Sequence, residues 1–191
     1  SGLKLFFLQQ DVWAHWREYV LGSLLIGFLT AGLSFLLLLM ASYLYQFPNF
    51  KSIITRYLTP SYVAVSFGFL LFSESNEIFS PLLIAWALAI VFLPALFRFG
   101  VLQSQDSLSS QAELANYIGG SRYFTFKRII FPQVLPHISL MSGLAGVWAV
   151  GDFSTSRVIA GKDMSLAMWV QSLVEQYRWD LAALFSWLIL L

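Results

Sequence analysis

The sequence predicts an all-α membrane protein, and two observations carry this prediction. Of the 191 residues, 58% are hydrophobic and only 11% are charged, whereas soluble domains average roughly 25% charged residues. The apolar residues also fall into uncharged runs long enough to cross the hydrocarbon layer, which takes about 20 residues per helix. The net charge of +1 offers no basic surface for nucleic acid. The absence of cysteine excludes disulfides and thiolate metal sites.

Five apolar runs without charge predict five membrane-spanning helices in chain order. They cover residues 19–50, 57–73, 78–97, 129–151 and 181–191. Pro94 predicts a kink or an end in the third run, and Arg98 stops it. The last run covers about half a bilayer at 1.5 Å per residue, so we expect the natural protein to continue. Residues 1–18 are expected to form an interfacial or extracytoplasmic segment, and residues 19–191 the membrane domain.

A polar segment, residues 101–128, separates the third and fourth runs and carries its own helix signals. Ser110 and Glu113 have the S-x-x-E spacing of a capping box, in which a serine begins a helix. Gly119 and Gly120 supply the left-handed turn that often ends a helix, and Ser121 is placed to cap a second one. The segment therefore predicts two short helices around a glycine turn.

The first of these short helices is predicted to be amphipathic. Leu114, Ala115 and Ile118 fall on one stripe of it, while Gln111 and Asn116 fall elsewhere. An apolar stripe on a polar segment needs a covering surface, so we expect a partner to bind it.

The spacing of this segment resembles the signature loop of the permease subunits of binding-protein-dependent, type I ABC importers. That loop has the pattern E-x-A-x-x-x-G, nine residues, then I-x-[LF]-P. The residues that match it here are Glu113, Ala115, Gly119, Ile129, Phe131 and Pro132. Leu114 replaces the usual second alanine, and Phe131 replaces the usual leucine before the proline. Both replacements are apolar, so the role is expected to stand while the docking geometry changes in detail.

The resemblance implies a five-transmembrane-helix permease core with a methionine-importer-like fold, here with its last helix truncated. It implies a multi-pass protein of the bacterial inner membrane, surrounded by the lipid bilayer. It also implies three protein partners, which are a cytoplasmic ABC ATPase dimer, a second permease half that is fused or separate, and an extracytoplasmic substrate-binding protein. The residues expected to couple to the ATPase are Glu113, Leu114, Ala115, Gly119, Gly120, Ile129 and Pro132.

Two of these residues also have an ordinary structural interpretation. The capping box alone explains Glu113, and both roles can hold at once. Gly119 is explained as a helix C-cap, although its turn also separates the two coupling helices. If the loop is placed in the cytoplasm, six of the eleven cations fall on its side of the membrane and five fall outside, while the outer connection 73–80 carries none. This nearly even division is compatible with the positive-inside rule, and the motif decides the orientation.

The substrate pathway has three candidate residues, Asp152, Trp148 and Ser142. Asp152 lies at the end of the fourth run, where a charge can face the pore. Ser142 and Gly146 form a small-xxx-small pair that allows close helix packing, and packing within this unit is an equally good explanation. Gly151-Asp152-Phe153 and residues 176–183 look most like the C-terminal half of thiamine or ferric-iron permeases, so these are the expected substrates.

The alternative from another class is a secondary transporter or channel without an ATPase partner. Its ion coupling would need charges inside the spans, and the runs contain none. No enzyme is expected, because His15 and His137 have no partner at metal-ligand spacing and no phosphate-binding G-x-x-x-x-G-K-[ST] loop is present. Neither a metal nor a cofactor is therefore expected on this chain, and ATP hydrolysis would belong to another one.

Overall fold

The described part of the chain is almost entirely helical. The computed structural model describes residues 10–47, 50–52, 61–73, 80–152, 154–160 and 165–190, and no strand occurs among them. The α-helices are α1 (Gln10–Leu44), α2 (Tyr62–Ser73), α3 (Ser80–Leu96), α4 (Leu102–Ser107), α5 (Ser109–Tyr117), α6 (Arg122–Thr125), α7 (Phe131–Val150), α8 (Ser154–Ala160), α9 (Leu166–Glu175) and α10 (Trp179–Leu190). Two π-helical turns, Phe97–Val101 and Phe126–Ile130, precede α4 and α7. The all-α class predicted from the sequence is confirmed.

Three helical stretches of the described chain are long and apolar enough to cross a membrane. They are Arg17–Leu44, Ser80–Ser107 and Arg122–Val150. On α1, large apolar side chains such as Phe28 and Leu36 point outward, which suits a helix surrounded by lipid. The helices α2 and α10 have 12 residues each, fewer than a full span needs. The runs predicted around them extend into residues 57–60 and 191, which lie outside the described residues.

The third predicted span does not end at Arg98, which corrects the sequence expectation. Pro94 lies inside α3, and the chain continues through a π-helical turn, in which the Leu102 N–H donates to the Phe97 carbonyl, directly into α4. Gly100 in this turn is buried against Met141 of α7, so closely that a Cβ there would overlap the Met141 side chain. The third span and the start of the polar segment therefore form one continuous helical stretch, Ser80–Ser107.

The chain divides into two compact units, and α1, α3 and α7 contribute residues to both. The first unit comprises Ser1–Leu29, Tyr62–Leu88 and Gly146–Leu191. One hydrophobic cluster in it lies on α9, where Leu166, Trp169 and Leu173 pack with Leu181 and Ala182 of α10.

The N-terminal end of α9 is held by two serine hydroxyls. Ser165 is its N-cap and accepts from the Met168 N–H at 3.3 Å, while Ser23 of α1 accepts from the Leu166 N–H at 2.7 Å. These bonds satisfy N–H groups that the helix itself leaves without a partner. The ring of Tyr19 stacks on Trp169, with centroids 5.3 Å apart, so α9 is fixed against α1 within this unit.

The second unit comprises Thr30–Ser61 and Ala89–Ala145. It contains the C-terminal half of α1, the end of α3, the whole polar segment and the first part of α7. Its buried apolar side chains include Leu96, Val101, Leu108, Ile130 and Val134. The candidate coupling residues all lie in this unit.

Candidate functional site

The polar segment forms a helical hairpin, made of α5, the Gly119-Gly120 turn and α6. Its start differs from the capping box predicted at Ser110, because α5 begins at Ser109 and the cap position is Leu108, with no side-chain cap. Leu108 keeps a helical backbone, donates its N–H to the Gln105 carbonyl and accepts from the Ala112 N–H. Leu108 is therefore the single residue through which α4 runs into α5.

The predicted glycine turn at the end of α5 is present as a Schellman motif. Gly119 has φ +92, the left-handed conformation that glycine adopts at little cost. The Gly120 N–H donates to the Ala115 carbonyl at 2.9 Å, and the Gly119 N–H to the Asn116 carbonyl at 3.1 Å. A Cβ on Gly120 would lie 2.8 Å from the Ala115 oxygen. Both glycines are therefore required by the backbone, each for a different reason.

The second helix of the hairpin is capped as the sequence predicted. The Ser121 hydroxyl accepts from the Phe124 N–H at 3.3 Å. Thr125 is fully buried, and its hydroxyl donates to the Asn116 side-chain oxygen at 3.2 Å. This bond joins α6 to α5 across the turn, so the hairpin has a fixed shape.

The hairpin exposes five large apolar side chains. Leu114, Tyr117 and Ile118 share one face of α5 through their i, i+3 and i+4 spacing, and Tyr123 and Phe124 lie on α6. Each is between 55% and 88% exposed. The predicted stripe was wrong in one member, because Ala115 is half-buried and Tyr117 takes its place. These five side chains are called the apolar surface of the hairpin below.

The remaining predicted coupling residues lie around this hairpin. Glu113 is exposed and, within the described part of the chain, no ion pair or hydrogen bond to its carboxylate is found. Ile129 is half-buried in the π-helical turn that follows α6, and Pro132 is exposed in the first turn of α7. A proline at this position costs little, since N–H groups in the first turn have no helical partner.

A pocket of about 240 Å³ lies between the hairpin and other residues of the second unit. Ala112, Glu113 and Asn116 form its hairpin wall. Its other lining residues are Tyr45, Gln46, Lys51, Gln105, Leu108, Arg122 and Ile130. The Arg122 guanidinium lies 4.8 Å from the centroid of the Phe47 ring.

Sequence reasoning missed the contacts that anchor the base of the hairpin to α1. The Gln105 side chain donates to the Ser42 carbonyl at 2.6 Å and accepts from the Ser42 hydroxyl at 3.2 Å. The Tyr45 hydroxyl donates to Asp106 at 2.7 Å, and the Lys51 ammonium lies 3.4 Å from the same carboxylate oxygen. These partners are 55 to 63 residues apart in the chain, and no local pattern relates them.

Tyr45 and Lys51, which both contact Asp106, have raised pKa values. Burial is the main cause that raises the pKa of the Tyr45 hydroxyl, followed by its hydrogen bond to Asp106. The Lys51 pKa is raised chiefly by its interaction with Tyr45, against the opposing effect of burial. Both groups therefore hold their protons more tightly here than in water.

The three predicted pathway residues have different surroundings. Ser142 is buried, and its hydroxyl donates to the Ser139 carbonyl of its own helix at 2.9 Å. Trp148 is 46% exposed. Asp152 caps α8, because its carboxylate accepts from the Thr155 N–H at 2.9 Å and from the Ser154 hydroxyl at 3.1 Å. A helix cap therefore gives Asp152 a structural role of its own.

Comparison with known proteins finds no protein-family model and no curated protein that matches this chain.

Proposed function

We propose that this chain is a transmembrane permease component of an ATP-driven, binding-protein-dependent importer. In this proposal it forms half of the translocation pathway in a bacterial inner membrane, with the five-helix core of a type I importer. A second permease half, a cytoplasmic ATPase dimer and an extracytoplasmic substrate-binding protein complete the transporter. The residues that couple transport to ATP hydrolysis lie between Ser109 and Pro132.

One observation carries the proposal, which is the apolar surface of the hairpin. An exposed amphipathic helix with Leu114, Tyr117 and Ile118 on one face has the arrangement of a helix that docks into a groove of another protein. Apolar patches that remain exposed on a folded protein mark interaction sites. The signature spacing from Glu113 to Pro132 supports an ATPase as the protein that provides the groove.

Glu113 adds support because the structure does not contain the capping box that would explain it. The capping box that would account for a glutamate at this position does not form, since Ser110 lies inside α5. An exposed carboxylate beside an apolar docking face suits a polar contact that fixes the docked helix in register.

The proposal is tested by measuring ATP hydrolysis and uptake together in proteoliposomes that hold the assembled transporter. Glu113→Lys reverses the charge next to the apolar surface, and Gly119→Val removes the left-handed turn. We expect both variants to insert and assemble, and to lose uptake per ATP hydrolysed. Full ATP-driven uptake in both variants would contradict the coupling role.

Matched controls separate coupling from general damage. Gln111→Lys adds the same type of charge at an exposed position two residues from Glu113. Gly143→Val makes the same substitution at a helical glycine with open space around its Cβ. Both controls are expected to keep uptake per ATP near that of the unchanged protein.

We propose thiamine or ferric iron as the substrate, on the resemblance of residues 151–153 and 176–183. The test is the binding of both ligands to the substrate-binding protein of the same transporter, measured by calorimetry. Tight binding of one ligand supports the proposal. Tight binding of a sugar or a polyamine instead would discard both, while leaving the coupling role of the hairpin untouched.

A further inference from the structure

The base of the hairpin is attached to the C-terminal end of α1 by two adjacent residues of α4. Gln105 and Asp106 bond to Ser42 and Tyr45, which lie three residues apart and so on the same side of the end of α1. We call these four residues, together with Lys51, the joint.

The inner half of the joint is a buried pair of hydrogen bonds. Gln105 is 4% exposed and Ser42 is 1% exposed, and the Gln105 amide uses both its N–H and its oxygen on the same serine residue. A buried amide whose bonds are broken leaves polar groups without partners, which is costly. Two bonds to one residue also fix orientation as well as distance. This half of the joint therefore resists both separation and rotation.

The outer half of the joint is a charged cluster with an aromatic centre. The Tyr45 hydroxyl and the Lys51 ammonium converge on one oxygen of Asp106, and the ammonium also lies 4.8 Å from the centroid of the Tyr45 ring. Tyr45 is itself buried and packs against Phe97, with centroids 5.8 Å apart. The cluster thus ties α4, the end of α1 and the π-helical turn that precedes α4 to one another.

No flexible linker separates the joint from the hairpin. Only Leu108, which is buried and helical in backbone, stands between α4 and α5. A force applied to the apolar surface of the hairpin is therefore carried through α5 and α4 to the joint. Packed helices move as rigid bodies when no hinge residue intervenes.

We propose that Ser42, Tyr45, Lys51, Gln105 and Asp106 are positioning residues that hold the hairpin and the C-terminal end of α1 together as one rigid body, so that a displacement of the hairpin reaches the membrane through α1. This inference rests on the proposed function, in which an ATPase moves the hairpin. It adds the route by which that movement leaves the hairpin. The joint remains closed throughout the ATP cycle, and motion occurs elsewhere.

The test uses the absence of cysteine in the chain, which allows two spin labels to be placed without labelling any other residue of this chain. The labels are attached through Met40→Cys on α1 and Gln111→Cys on α5, because both positions are exposed. The distance between the labels is measured by pulsed electron paramagnetic resonance in the assembled transporter, with and without ATP. We expect the same narrow distance distribution in both states. A distance that shifts on ATP binding would overturn the rigid joint.

Variants of the joint provide the second arm of the experiment. Gln105→Met keeps the size of the side chain and removes both bonds to Ser42. Gln103→Met makes the same change on the same helix at an exposed position and is the matched control. We expect Gln105→Met to broaden the label distances and to lower uptake per ATP by roughly two- to thirtyfold, the range for a change in coupling free energy of this kind. The control is expected to change neither. Unchanged distances and uptake in Gln105→Met would overturn the proposal.

Milder variants cover the case in which Gln105→Met fails to assemble. Tyr45→Phe removes the hydroxyl and keeps the ring on Phe97, and Asp106→Asn removes the charge that faces Lys51. We expect both to co-purify with the ATPase and to show the same broadening with reduced uptake per ATP. Normal coupling in both would discard the joint. If the unchanged protein does not associate with an ATPase at all, the proposed function fails, and the role of the joint fails with it. Normal coupling in the variants is a different result, because it discards only the joint.

Discussion

At the residue scale, Tyr177 occupies a backbone conformation that usually belongs to glycine. It has φ 58 and stands between α9 and α10. The Arg178 N–H donates to the Leu173 carbonyl and the Tyr177 N–H to the Val174 carbonyl, the same pair of bonds that surrounds Gly119. The two turns therefore share one motif, with a tyrosine in the first unit where the second unit has a glycine.

Tyr177→Gly is expected to stabilise the protein. A non-glycine residue in the left-handed region costs about 1–2 kcal/mol, and the substitution removes this strain. Glycine also makes the unfolded chain more flexible, and this entropy offsets part of the stabilisation. The tyrosine side chain is 83% exposed, so little packing is lost. A net gain of roughly 0.5–1 kcal/mol should appear as a higher midpoint of thermal unfolding in detergent.

Gly119→Ala is the mirror of that substitution and should have the opposite sign. Its Cβ would meet nothing within 4 Å, so any loss of stability comes from the backbone conformation alone. We expect a loss of about 1 kcal/mol.

If Tyr177→Gly lowers the unfolding midpoint, then the aromatic ring contributes more than its exposure suggests, and the strain argument fails.

The protonation of the joint predicts how stability depends on pH. The pKa of Tyr45 is raised above its ordinary value of 10.0 and that of Lys51 above 10.5. A group with a raised pKa stabilises the fold fully below its unfolded pKa, and this stabilisation is lost as the pH rises through the folded value. The unfolding midpoint should therefore be insensitive to these two groups below about pH 10 and should fall above it.

Tyr45→Phe isolates the contribution of the tyrosine hydroxyl. The unchanged protein should exceed this variant in unfolding midpoint by a constant amount between about pH 7 and pH 9, and the difference should shrink above about pH 10. A difference that grows with pH in the alkaline range would show that the hydroxyl is not held in its protonated form.

At the scale of elements, the close approach of Gly100 to Met141 fixes how the end of α3 meets α7 within the second unit. Gly100→Ala places a Cβ against the Met141 side chain, so we expect a loss of roughly 1–3 kcal/mol from overpacking. Met141→Ala should restore most of this loss in the double variant, because it empties the contested space. The measurement is a double-mutant cycle on the unfolding midpoint. Additive effects of the two substitutions would show that they do not share this contact.

The elements also show what the sequence could predict and what it could not. Local signals identified the turn at Gly119 and the cap at Ser121, because each is decided by bonds within a few residues. The capping box at Ser110 was wrong because α5 begins one residue earlier, at Ser109, and its cap position is Leu108. Arg98 did not end the third span, since a wide helical turn continues the chain through it.

At the scale of the whole molecule, composition was enough to predict the all-α membrane class. The spacing of the motif was enough to locate the proposed docking segment. The joint could not be predicted, because Ser42 and Gln105 are ordinary residues far apart in the chain, and only the packed fold brings them together. The apolar surface was predicted in outline, with Tyr117 in place of Ala115. A face that stays exposed in the chain by itself supports the proposal that a partner covers it.

The central claim is that the hairpin docks into a cytoplasmic ATPase, and cysteine crosslinking at its tip tests this most directly. Ile118→Cys places a thiol at the most exposed end of the apolar surface in a chain without other cysteines. Met40→Cys, at a position that is also exposed but lies on an apolar helix, is the control. In membranes with the complete transporter, we expect a reagent with one thiol-reactive end and one photoreactive end to join position 118, but not position 40, to the ATPase. A crosslink from position 40 with none from position 118 would contradict the account.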